Sequence, residues 1–231
     1  MNDKNVTYQA SPASSTKMLR AMVGIGIACA LLIVLTYVGT LPRIERLKAE
    51  ALEKAIFKVI PGITSTKTFK LTDANAFSVM SVEEEPENVV YAGYDENNQL
   101  VGLAVEARGQ GYADIISILY GYDPKEQTVI GFYVLESKET PGLGDKIEKD
   151  ADFLANFEAL SVSLTEDQTA VKNTIVTVKQ GTKENSWEVD GITGATISTR
   201  AIGDIIGAST QQWVPLLYQN QEAFSLDTSG E

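Results

Sequence analysis

The eleven residues from Asp190 to Arg200, DGITGATISTR, place four hydroxyl side chains (Thr193, Thr196, Ser198, Thr199), Gly191, Gly194 and Ala195 between an acid and a base. Hydroxyls can take up a phosphoryl group, and small residues bare the backbone so that an anion can approach it. The stretch lies between a strand-like segment, SWEVDGI, and a helix-like one, RAIGDIIGAST. A helix start presents unpaired N–H groups and partial positive charge. Two readings stay open on these residues: an ordinary turn capped by Ser198 or Thr199, and a phosphate cradle. A P-loop is excluded, because no Gly-Lys-[Ser/Thr] occurs. A second small-residue loop, Glu139-Thr140-Pro141-Gly142-Leu143-Gly144, comes after a strand expected to end at Leu135 or Glu136. Beside it, Lys138 is a cation that faces either solvent or a phosphate, and Tyr112 ends a strand where it either packs or stacks on a ring.

The rest of the composition removes other chemistries. The 231 residues contain no histidine and one cysteine, Cys29. This excludes disulfides, His-based triads and most zinc, copper, haem and Fe–S sites. A net charge of −12 leaves no basic field for nucleic acid. The acidic run Glu83, Glu84, Glu85 and Glu87 reads as a solvated loop, since adjacent carboxylates repel and do not converge on an ion; no metal site is expected.

These residues must be positioned by the surrounding elements. Ala21 to Leu41 is an uncharged, mostly apolar run of 21 residues, enough to cross roughly 30 Å of hydrocarbon. The sequence just after this run lacks a small-residue cleavage site, so the run reads as an uncleaved anchor. We place a disordered cytoplasmic tail at 1–17, the anchor at 18–42, an amphipathic stalk at 43–62 that Pro61-Gly62 stops, and a domain at 63–231. Five basic residues lie beyond the span within the stalk and three precede it. By the positive-inside rule alone, the domain would be cytoplasmic. Two segments, 89–111 and 116–142, share the order Gly-Tyr-Asp, three residues, Gln, an apolar pair and Gly, with Thr128 interposed before the pair in the second, and each reads as two strands around a polar turn. A third pair, 174–180 and 186–192 around Gly181, is expected to extend the same antiparallel sheet. Helices are expected around Ile147 to Phe157 and after Thr199, where Ile202, Ile205, Ile206 and Trp213 share a face and Pro215 sets the limit. The fold class is α+β, an antiparallel sheet of repeated hairpins with flanking helices.

The spelling Asp190-x-x-Thr193-Gly194-Ala195-Thr196 resembles the flavinylation motif of FMN-binding domains. Together with the 139–144 loop, Gly109 to Tyr112 and an anchor leading into FKVIPG, it makes nearly the whole chain from about residue 18 similar to the G subunit of the Rnf ion-translocating electron-transport complex. The C subunit of the sodium-translocating NADH:quinone oxidoreductase is the competing relative. The resemblance implies one covalent FMN, esterified to Thr196 by a flavin transferase, with Gly194 and Ala195 giving clearance. Asp190 would assist the transferase, through its Mg²⁺, or cap the turn. The 139–144 loop would border the flavin, with Glu139 and Thr140 offering side-chain bonds, loop amides bonding the ring and Leu143 supplying an apolar contact. It further implies an extracytoplasmic domain, against the charge count. The redox centre would be the flavin, with no catalytic side chain, relaying electrons between ferredoxin and NAD⁺ in a complex coupled to Na⁺ or H⁺ movement. Its partners would include a second flavinylated membrane subunit and Fe–S subunits. Two readings from other classes fit less well. A pilin-like module lacks its processing site and acidic residue, and an anchored hydrolase has no distinctive nucleophile spacing.

Overall fold

A computed structural model describes residues 15–80 and 88–226. Of the tail expected to be disordered over 1–17, residues 1–14 lie outside the described residues. Ser15, Thr16 and Lys17 are helical instead, the apolar helix starting three residues earlier than expected. The Glu83–Glu87 run, expected to be a solvated loop, also lies outside the described residues. The chain divides into two compact units, Met1–Glu50 and Ala51–Glu231, and each is described by itself. The helix α1 (Ser15–Val59) begins in the first unit and runs through Pro42 without interruption. Its most apolar 18-residue stretch has a mean hydropathy of 2.5, and none of it is buried. In hydrocarbon a hydroxyl needs a partner, and Thr36 and Thr40 donate to the carbonyls of Leu32 and Thr36, one turn back. This is a helix long and apolar enough to cross a membrane.

In the second unit, seven strands pair antiparallel in the order β2-β1-β3-β4-β5-β6-β7. They are β1 (Ser65–Leu71), β2 (Phe77–Val79), β3 (Val89–Tyr94), β4 (Leu100–Gln110), β5 (Ile115–Asp123), β6 (Thr128–Glu136) and β7 (Leu160–Ser161). The two repeats form the hairpins β3–β4 and β5–β6, as expected. Their shared Asp has one task in both: Asp95 Oδ1 accepts from Asn97 N and Gln99 N, and Asp123 Oδ1 accepts from Lys125 N, each at 2.8 Å. Such carboxylate-to-backbone bonds close the turns. Their shared glycines also have a physical cause. Gly93 pairs with Gly102 and Gly121 with Gly131, and residues 59–63 lie on that strip. A Cβ on Gly121 or Gly131 would stand 2.1 or 2.3 Å from the Val59 carbonyl oxygen. Side chains Ala55, Ile56, Val59, Ile60 and Ile63 bury against Val89, Tyr91, Ala104 and Leu119 on this face.

The opposite face carries the larger core. There α3 (Thr196–Gln219) sets Ile202, Ile206, Trp213 and Val214 against Ile118, Tyr120 and Phe132. The short α2 (Ala151–Ala155), started by Asp150 accepting from Phe153 N, places Phe153 and Phe157 beside Phe132. The Phe132 and Phe157 rings stack 4.4 Å apart, a contact that adds to plain apolar burial.

Two expectations are corrected. The third pair does not extend the sheet: β8 (Val176–Val178) and β9 (Glu188–Asp190) form a separate two-stranded sheet and run parallel. Gly181, at φ +78, turns the chain, and residues 182–187 carry it back so that both strands point the same way. Asn156, not a neighbouring strand, fixes β9: its Oδ1 accepts from Asp190 N at 2.9 Å and its Nδ2 donates to Asp190 O at 3.2 Å. Nor does Pro215 limit the last helix, which continues to Gln219. A proline there removes a backbone bond, but Val214, Pro215 and Leu217 are buried, and their packing carries the helix through.

Candidate functional site

β9 delivers the chain to Gly194, whose φ of +88 lets the backbone reverse into α3. Ala195 holds the position before the first helical residue and contributes no side-chain cap. Ser198 and Thr199, the expected caps, are both turned elsewhere. Thr199 is buried and its Oγ1 donates to Thr196 O at 3.2 Å. Ser198 is also buried, and its hydroxyl donates to Glu139 Oε2. Thr196 is left exposed on the first turn, with no acidic residue beside it in that turn.

Glu139 joins three segments that are far apart in sequence. The residue is only 5% exposed, an unusual place for an acid. Oε1 accepts from Ala113 N at 3.0 Å while Oε2 takes the Ser198 hydroxyl, so both oxygens are satisfied. Room for the carboxyl exists only because its neighbours are glycines: a Cβ on Gly111 would stand 2.5 Å from Oε1, and one on Gly144 would stand 2.6 Å from Oε2. The 139–144 loop is held by its own bonds. Leu143 N donates to Thr140 O, Gly142 turns at φ +80, and Gly142 N donates to Asp145 Oδ1 at 2.7 Å.

These segments enclose a groove of about 360 Å³, lined by Tyr112, Glu139, Thr140, Leu143, Gly144 and residues 194–198. Three large apolar side chains stand at it in water: Tyr112 is 64% exposed, Leu143 53% and Ile197 56%. Such a cluster marks a surface meant to be covered. A flat, largely apolar ring fits it, and the isoalloxazine of FMN is one. A second groove, of about 270 Å³, lies across Thr196 and is lined by Thr177, Lys179, Gln180, Thr193, Thr199 and Arg200 among others. Thr196 lines both.

Of the residues singled out from sequence, Tyr112, Glu139, Thr140, Leu143, Gly144, Gly194, Ala195, Thr196 and Ser198 come together in the first groove. Thr193 lines the second, where its N–H donates to Gln180 Oε1 at 3.0 Å. Gly142 shapes the loop from behind. Asp190 lines neither groove; both of its oxygens accept from Gly181 N, at 2.7 and 2.8 Å. Lys138 donates to Asp114 Oδ2 and is likewise outside both grooves. That pairing holds the Asp114 carboxyl below the usual carboxylate range and raises the Lys138 ammonium. Sequence reasoning missed Ile197, Gly111, Lys179, Gln180 and Arg200. Ile197 carried a signal: it is an apolar residue off the buried stripe of its own helix.

Comparison with known proteins gives the chain a family. The FMN-binding domain family matches residues 111–210, a span that contains both loops and α3 up to Thr210. The chain is 31% identical over 193 residues to the G subunit of the ion-translocating oxidoreductase complex of Methanosarcina acetivorans, covering 83% of this chain and 90% of that one. It is also 31% identical to the G subunit of the Na(+)-translocating ferredoxin:NAD(+) oxidoreductase complex of Acetobacterium woodii, over 84% and 85% of the two chains. Among solved structures, the C subunit of the Na(+)-translocating NADH-quinone reductase from Parabacteroides distasonis shares the fold. It has a TM-score of 0.57 at 19% identity, over 76% of this chain and 96% of that one. NqrC of Shewanella oneidensis gives 0.52 at 20%, over 74% and 85%. With these identities over most of its length, an FMN-binding domain match and a helix long and apolar enough to cross a membrane, the chain belongs to the family of G subunits of ion-translocating oxidoreductase complexes.

Proposed function

We propose that this protein carries one FMN esterified to Thr196 and relays electrons within an ion-translocating ferredoxin:NAD⁺ oxidoreductase complex. The observation that carries the reading is the exposure of Thr196 at the first turn of α3, beside a groove whose apolar side chains suit a flavin ring. The names and identities of the G-subunit relatives support the setting. When bound, FMN supplies one- and two-electron transfer coupled to protons. The chain's own residues attach, orient and shield it. In attachment, the Thr196 Oγ–H bond breaks and an Oγ–P bond forms to the FMN phosphorus. The donor is an activated flavin nucleotide in which that phosphate sits in an anhydride; the anhydride breaks, its other phosphate leaves, and a base on the transferase takes the proton. Electrons are not exchanged in this step. Afterwards Tyr112, Leu143 and Ile197 exclude water from the ring, and the Glu139–Ser198 bond fixes the groove's two walls.

In this reading the tail at 1–17 is cytoplasmic, residues 18–42 anchor the protein in the cell membrane, 43–62 form the stalk, and 63–231 lie on the extracytoplasmic side. Free FMN is scarce there, and an ester keeps the cofactor from being lost. The partners are a second flavinylated membrane subunit, Fe–S subunits and, during maturation, the flavin transferase. Co-expression with a flavin transferase tests the attachment: a denaturing gel should show a fluorescent band for the wild type and none for Thr196→Ala. A dark wild type, or an undimmed Thr196→Ala, would sink the assignment. A periplasmic reporter fused after residue 226 should be active if the orientation is right.

A further inference from the structure

Thr196 stands on a ridge between two grooves of opposite character. In the first, the only charged lining residue is the acid Glu139, and both of its oxygens are already engaged. The lining of the second contains two cations, Lys179 and Arg200, and no acid. Among the described residues neither cation has an ion-pair partner. The chain as a whole carries a net charge of −12, so a groove lined by two cations and no acid is opposite in sign to the chain's net charge. Arg200 lies four residues after Thr196, so the two are neighbours one turn apart on α3. Helical side chains lean toward the helix N-terminus, which directs the Arg200 side chain back along the helix toward Thr196. Asp204, four residues further on, forms no ion pair with it.

We infer that the two grooves divide the cofactor: the apolar groove takes the flavin ring, and the Lys179/Arg200 groove holds the phosphodiester anion. The inference rests on ester attachment at Thr196 and adds where the negative charge of the ester goes. A phosphodiester placed on the other side would face the Glu139 carboxylate, a like charge in a partly desolvated site. On the Arg200 side it meets a guanidinium whose fork suits two phosphate oxygens, with the Lys179 ammonium as a second cation. Thr196 is thus the divide as well as the attachment point.

The full-length protein, loaded by a co-expressed transferase, tests this. Gel fluorescence scores attachment, and ³¹P NMR reads the surroundings of the single phosphodiester. The wild-type resonance should be displaced from its position in the unfolded protein, and added NaCl should shrink that displacement. In the fraction of the double variant Lys179→Gln/Arg200→Gln that carries flavin, the resonance should lie at the unfolded position. Arg200→Gln alone should remove most of the displacement, whereas Arg200→Lys should retain part of it. A double variant that keeps the wild-type displacement would overturn the proposal. So would a folded double variant that fails to take up flavin, because the cations would then serve attachment instead of the mature ester. A dark wild-type band removes the ester reading itself, and this proposal with it, a result separable from both.

Discussion

At the base of the sheet, Gly121 and Gly131 let the Val59 carbonyl come so near that added Cβ atoms would stand 2.1 and 2.3 Å from its oxygen; at the groove, Gly111 and Gly144 leave comparable space around the Glu139 carboxyl. The same residue type serves both places, but the neighbour differs. Backbone cannot step aside, and the partner of Gly121 and Gly131 is the end of a helix whose side chains are locked into an apolar layer. The partner of Gly111 and Gly144 is a side chain held by two hydrogen bonds. The first arrangement fixes the fold, and the second fixes the site.

The largest effect should therefore come from Gly121→Ala, for which no rotamer of any neighbour makes room. We expect a loss of about 3 kcal/mol or more in urea unfolding, with the flavin spectrum unchanged in the fraction that folds. A loss below about 1 kcal/mol would mean the helix end can shift, and the contrast would collapse. Gly144→Ala should cost less, about 1–2 kcal/mol, because the two nearest atoms, Glu139 Oε2 and Ser198 Oγ, are side-chain ends that can move, where Gly121 faces backbone. It should also alter the visible circular dichroism of the bound flavin, which Gly121→Ala should not. Ser198→Ala leaves Glu139 Oε2 without its donor and should cost about 1–3 kcal/mol, with the same spectral change and unimpaired gel fluorescence. Tyr112→Ala should change stability by less than about 0.5 kcal/mol, since its ring is mostly in water, yet raise quenching of flavin fluorescence by iodide. Lys138→Ala should do nothing to either readout, because its exposed partner is Asp114. A shift in flavin properties there would bring Lys138 back into the site.

Local patterns were the legible ones. The apolar run of α1, the two hairpins and the face of α3 come from periods of 3.6 and 2 that any window of the sequence displays. The turn aspartates Asp95 and Asp123 could be read from their repeat. Contacts between distant segments could not. The parallel β8–β9 pair depends on Asn156, 34 residues before Asp190, and nothing in either strand announces that tether. The Ser198–Glu139 bond spans 59 residues, and it is what makes Ser198 a cross-link instead of a cap. Pro215 was read by its local rule, which burial of α3 overrides. At the candidate site, hydroxyl and glycine content marked the two loops that line the first groove, but the Lys179/Arg200 groove forms only when β8 is laid beside α3.

The exposure of Thr196 also bears on biosynthesis. Most of α3 behind it is buried, yet the first turn reaches solvent, so a modifying enzyme can reach the hydroxyl without opening the domain. If the flavin is joined to Thr196 as proposed, its insertion would be a late event performed on finished protein, and an apo form that is already folded could wait for it.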